Sequence, residues 1–221
     1  MLLPKTEMGK HKRPTPPKKR SPVPPPERII GETSYRREDD RQRLRNAVRR
    51  FEQDRPSCPI KLVVLDLDSA VWAVETGSCD RLHPPLGKVD ASTVADASGT
   101  RVTLARGARH VLATLRSRHI LVSVVNRTNP ENARELLELF GLAEFVACWA
   151  IAPQPTRLLV QAIRREIGTE HGLRLAAGAI LLVDDAKSSI ADVQPLEIRT
   201  VRIGREIREL ADLPHFLSKI A

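Results

Sequence analysis

Two apolar runs that both end in paired acids limit what this chain can fold into. KLVVLDLD (61–68) is apolar and β-branched until it meets Asp66 and Asp68, and AILLVDD (179–185) is apolar until Asp184 and Asp185. Runs this short and this apolar suit strands buried on both faces of a parallel sheet. Helical spacing separates them, in ARGARHVLATLRSRH (105–119), in PENARELLELFGL (130–142) and in TRLLVQAIRREIG (156–168). Further strands are predicted at ILVSVV (120–125), near 145–151, and at the edge of the sheet in EIRTVRI (197–203). The last segment, REIRELADLPHFLSKI (205–220), reads as a helix interrupted or kinked at Pro214. This alternation predicts an α/β domain, a parallel sheet with helices on both faces.

In open α/β sheets the ligand site lies at the carboxyl ends of the strands. Adjacent strands ending in Asp66, Asp68, Asp184 and Asp185 would gather three or four carboxylates within a few ångströms. Like charges so close are tolerable when a cation neutralises them, and a carboxylate cluster suits magnesium. Either pair alone reads as ordinary strand-end turn acids. Both together, after matching buried strands, predict a metal site.

The chain ahead of this domain is different in kind. Residues 1–60 hold 16 Lys and Arg against 8 Asp and Glu, a net of +8, and 10 of the 17 prolines. The remaining residues hold 20 against 19, so a nearly neutral domain carries a basic leader. Residues 1–37, with KHKRPTPPKKRSPVPPPER, are too polar and Pro-rich to repay ordering and are predicted to be a disordered tail. Residues 38–58 form an amphipathic helix and linker, with Leu44, Ala47, Val48 and Phe51 on one face, and the domain proper is expected over 59–221. The basic leader has two readings. It is a solvated extension, or residues 1–55 meet the phosphates of RNA or a ribonucleoprotein in a sequence-blind way, or carry a nuclear import signal. No apolar run long enough to span a membrane exists, and the amino terminus has no secretory or transit pattern. Cys58, Cys79 and Cys148 have no metal-ligand spacing and are odd in number, which predicts reduced thiols in an intracellular, reducing compartment, with cytoplasm, nucleus and organelle left open.

KLVVLDLDSAVW and AILLVDD resemble the first and last motifs of the haloacid dehalogenase superfamily. The nearest likeness is to its magnesium-dependent phosphatase-1 group, because RLHPPLGKVD, GTRVTLARGARHVL, NRTNPENARELLELFGL and SSIADV fall in that order and at similar spacing. The resemblance covers about residues 60–205 and implies a three-layer Rossmann-like fold with a minimal cap, a short flap over roughly 73–104. It implies catalytic roles for Asp66, as nucleophile forming an aspartyl phosphate, and for Asp68, as general acid and then base. It implies a Mg2+ site among Asp66, Asp68 (through its carbonyl), Asp184 and Asp185. The substrate would be a phosphoprotein or a small phosphoester.

Three positions depart from the family pattern. Ala70 stands where the first motif has threonine, Asn126 where the second has Ser or Thr, and Thr156 where the third has lysine. The candidate phosphate-binding residues are therefore Asn126, whose amide can donate in place of a hydroxyl, Arg127 beside it, Arg157 next to Thr156, and Lys187 after the last acid pair. A one-residue shift on a helix turns a side chain by about 100°. Losing one donor to transition-state charge costs about 10²–10³ in rate.

Other residues carry less. Thr128 is expected to point away from the site, Trp72 to pack as core, and His83 to sit in an exposed loop of the flap. His110, His119, His171 and His215 pair with no nucleophile in a triad pattern, and there is no Walker-type glycine loop. Two functions follow. One is a magnesium-dependent phosphohydrolase acting through Asp66 and Asp68. The other is a catalytically inactive haloacid dehalogenase-like protein that serves as a structural or RNA-associated component, for example on a ribosome, through its basic tail.

Overall fold

The computed structural model describes residues 38–54, 56, 58–128 and 130–220. The tail over 1–37 lies outside them. The main sheet has five parallel strands: β1 (Leu62–Asp66), β6 (Leu121–Asn126), β7 (Cys148–Ile151), β8 (Ile180–Asp184) and β9 (Arg199–Arg202), in the order β7-β6-β1-β8-β9. β1 is central. Leu62 pairs with Leu121 on one side and with Ile180 on the other. The chain leaves β1 in one direction and returns to its other flank at β8, so the order reverses there, and such a switch point is where open α/β sheets bind ligands.

Residues 62–65 of β1 are buried because alternate residues feed two separate cores. Val63 and Leu65 pack with α2 (Ala108–Ser117) and α3 (Pro130–Leu139), through Val111, Leu115 and Leu136. Leu62 and Val64 pack on the opposite face with α4 (Thr156–His171), through Leu159, Val160 and Ile163. The second core also takes in the first described helix, α1 (Glu38–Gln53), by Leu44, Val48 and Phe51. Burying those three side chains stabilises the docked helix by about 1.5–3 kcal/mol each at most. Asp40 of α1 is buried and pairs with Arg43 and with Arg134 of α3, the latter at 3.5 Å. Arg41 and Arg45 pair with Glu38, so part of the helix's positive charge is neutralised within its own first two turns.

The flap is a second sheet, antiparallel, of β2 (Trp72–Val74), β3 (Gly87–Lys88), β4 (Thr93–Ala95) and β5 (Arg101–Leu104), in the order β2-β5-β4-β3. It enters directly from the loop after β1.

The carboxy-terminal segment differs from its expected form. Residues 205–209 are not helical. A 3-10 turn at Leu210–Asp212 leads into α6 (Leu213–Lys219), with Pro214 in its first turn. Proline has no N–H to give, which suits a helix start, and the turn is closed by Glu209 and Asp212 capping one another. Pro214 begins a helix here rather than kinking one. A short helix, α5 (Lys187–Asp192), follows β8.

Candidate active site

Asp66 ends β1 and Asp184 ends β8, and the parallel pairing of those strands sets their carboxylates side by side. One oxygen each from Asp66, Asp184 and the exposed Asp185 lie within 4.8 Å of one another. Asp184 Oδ1 accepts the Ala186 N–H at 2.7 Å, while Oδ2 is buried and has no hydrogen-bond partner. An unsatisfied buried carboxylate oxygen is costly unless something binds it. Burial, then the charges of Asp184, Asp68 and Asp185, pushes the Asp66 carboxyl well above the usual carboxylate range, against the pull of Arg127. Burial likewise raises Asp184, against the Ala186 N–H and the Ser189 hydroxyl. Three carboxylates, one of which carries a buried oxygen with no partner, with their negative form destabilised by one another, fit a divalent cation such as magnesium.

Asp68 is oriented differently. Its carboxylate stands outside this trio and faces the cap, accepting from the Trp72 indole Nε1–H at 2.8 Å and from the Cys79 N–H at 3.3 Å.

The four candidate phosphate ligands separate. Arg127 is exposed at the end of β6, and its charge is felt at both Asp66 and Asp184. Asn126, beside it, is buried; its Oδ1 accepts the Arg127 N–H at 2.9 Å and its Nδ2 faces Cys79 Sγ at 3.5 Å. Arg157 is tied to Asp192, its N–H donating to Oδ2 at 2.8 Å and its Nε 3.8 Å from Oδ1. Lys187 is exposed at the first position of α5, and Thr156 is buried at the first position of α4.

Three residues matter more than their sequence context suggests. Trp72 is core, as its surroundings predict, yet its N–H also engages Asp68. Cys79 is fully buried, and Thr128 is turned toward it, Sγ to Oγ1 at 3.3 Å. Asn132, on α3, donates to the carbonyls of Cys79 and Leu82. Only the position of Trp72, four residues after Asp68, carried a signal in the sequence. His83 is exposed, as expected of a loop residue.

A five-stranded parallel sheet whose central strands end in carboxylates, with an antiparallel flap inserted after the first, is the fold of haloacid dehalogenase superfamily hydrolases. The chain belongs to the acid phosphatase family of that superfamily, whose sequence profile matches residues 59–205. No curated protein is significantly similar to it in sequence. Among solved structures, an uncharacterized protein from Listeria monocytogenes serotype 4b is 14% identical over 73% of this chain and 98% of its own, with a TM-score of 0.56. The N-terminal part of a Bacteroides fragilis protein, containing a phosphatase domain complexed with Mg, is 14% identical over 81% of this chain and 43% of its own, with a TM-score of 0.50. A haloacid dehalogenase superfamily hydrolase from Ehrlichia chaffeensis is 18% identical over 57% of this chain, with a TM-score of 0.48, and this chain spans 61% of its length. Identities this low speak to the fold. No described helix is long and apolar enough to cross a membrane.

Proposed function

We propose that the domain is a magnesium-dependent phosphohydrolase acting on phosphomonoesters. The observation that carries this reading is the Asp66, Asp184 and Asp185 cluster with its orphaned, buried Asp184 oxygen. Asp66, Asp184 and Asp185 would hold the ion, and magnesium bound there supplies positive charge to the carboxylates and to the ester phosphate. The magnesium reported for the Bacteroides fragilis phosphatase domain supports the choice of ion.

Asp66 attacks phosphorus and the bond to the ester oxygen breaks as that oxygen takes a proton from Asp68. Asp68, now a base, takes a proton from water. The water oxygen attacks the aspartyl phosphate, the bond from Asp66 to phosphorus breaks, and inorganic phosphate leaves. Arg127 is the side chain of this chain best placed to meet phosphate charge, since its field already reaches Asp66 and Asp184. Hydrolysis of 4-nitrophenyl phosphate by the full chain, with magnesium and then with a chelator, tests this. Turnover that survives complete chelation contradicts it.

A second reading is favoured by one pair of contacts. Asn126 directs its donor at Cys79, and Arg157 is anchored on Asp192, so neither replacement donor engages the carboxylate cluster. The domain would then bind magnesium without turnover. No hydrolysis, with magnesium still raising the melting temperature, is the outcome that selects it.

A further inference from the structure

Asp68 is held by the cap. The Trp72 indole N–H reaches one carboxylate oxygen at 2.8 Å and the Cys79 backbone N–H reaches the other at 3.3 Å. Both donor residues are at 0% exposure, so neither N–H is open to water. A tight turn creates the contact. Ser69 adopts a left-handed φ of 70°, its N–H donates to the Trp72 carbonyl, and the N–H groups of Val71 and Trp72 both donate to the Leu67 carbonyl. Residue 72 is thereby folded back over the carboxylate four positions before it.

Each donor is braced in turn. The indole lies against Phe140, with ring centroids 6.0 Å apart. The Cys79 turn is held by Asn132 Nδ2, which donates to the Cys79 carbonyl at 2.8 Å and to the Leu82 carbonyl at 3.3 Å. A buried indole N–H needs an acceptor, so the contact has a purely structural use. The acceptor, however, is the acid next to the nucleophile. Each Asp68 oxygen gives one lone pair to the cap and keeps another for a proton.

We propose that Trp72 is a positioning residue for Asp68. Together with the Cys79 N–H, it aims the carboxylate whose proton passes to the ester oxygen as the phosphorus–oxygen bond breaks. The proposal rests on the phosphohydrolase reading above and makes the cap a working part of the acid rather than a cover. It also predicts where the aim counts. An alkoxide leaves poorly without a proton, whereas a nitrophenolate leaves readily without one. Loss of the indole N–H therefore falls selectively on alkyl phosphates.

The test is Trp72→Phe in the full chain with magnesium, comparing glycerol 2-phosphate with 4-nitrophenyl phosphate. The expected result is a fall in kcat of about tenfold or more on the alkyl ester and less than about threefold on the aryl ester, with KM little changed for both. In an Asp68→Asn background the same substitution has no further effect on the alkyl ester. If Trp72→Phe does not fold, Asn132→Ala is used instead. It keeps Trp72 and frees the Cys79 turn, and the same selective loss is expected. Equal losses on the two esters, or a selective loss that persists with Asp68→Asn, overturn the positioning role alone. No turnover of either ester by the unmodified chain overturns the phosphohydrolase reading, and the positioning role with it.

Discussion

The side-chain amide of Asn126 points its Nδ2 at Cys79 Sγ, 3.5 Å away, whereas the resemblance in the sequence expects it to donate to phosphate. The Arg127 N–H fixes this orientation by donating to Oδ1 at 2.9 Å. Asn126 is expected to be a poor phosphate donor as it stands. Asn126→Ser replaces the amide with a short hydroxyl that can turn toward substrate. The substitution should raise kcat on 4-nitrophenyl phosphate by about tenfold or more, measured in steady state with magnesium. Unchanged or lower turnover would show that the amide already serves.

Asp184 should link ion binding to stability. Its folded pKa is raised, so the folded state holds that proton more firmly than the unfolded state. The metal-free protein should therefore lose stability as pH rises from the ordinary carboxylate range through the raised value. Asp184→Asn removes this charge while Oδ1 still accepts from Ala186. At pH 7 without metal it should melt roughly 2–4 °C above the parent, the shift expected for about 1 kcal/mol. Magnesium should stabilise the parent and not the variant. Calorimetry at pH 4 and pH 7 reads both effects, and equal magnesium stabilisation of the two proteins would remove Asp184 from the ion site.

Asp96 has the opposite sign and lies in the cap. Its burial opposes ionisation, but the N–H groups of His83, Ser98 and Thr100 and the Ser98 hydroxyl outweigh it and hold the pKa at about 2. Its contribution to cap stability should be complete above the ordinary carboxylate range and lost as pH falls toward about 2. Asp96→Ala should speed amide exchange at His83, Ser98 and Thr100 at neutral pH, read by hydrogen exchange, with the main sheet unaffected.

Cys79 should be chemically quiet. Burial first, and then the Asp68 charge, pushes its thiol up to about 12. Iodoacetamide at pH 8 should label the partly exposed Cys58 in the folded chain and reach Cys79 only after unfolding, as followed by peptide mass. Fast labelling of Cys79 would mean that the cap opens readily.

The sheet was legible because β-branched apolar runs such as KLVVLDL have one good solution, a strand buried on both faces. The clustering of Asp66, Asp184 and Asp185 followed from strands that end in acids and pair in parallel. Orientation was not legible. Nothing in the spacing of Arg157 reveals that Asp192, 35 residues away in sequence, anchors its backbone and guanidinium. Trp72 is apolar enough to read as core, and its N–H acts through a turn whose key residue, Ser69, is not the glycine that usually marks a positive φ. The helix start at Leu213 and Pro214 is hidden in the sequence because a proline inside a periodic stretch signals an interruption, whereas the residues before it form a separate turn.

Turnover of 4-nitrophenyl phosphate by the full chain in magnesium, beside Asp66→Asn, decides whether the domain is a phosphohydrolase. The parent should release nitrophenolate in a magnesium-dependent way, and Asp66→Asn should reduce that release to the uncatalysed rate. Equal turnover by the parent and Asp66→Asn would contradict an aspartyl phosphate at Asp66.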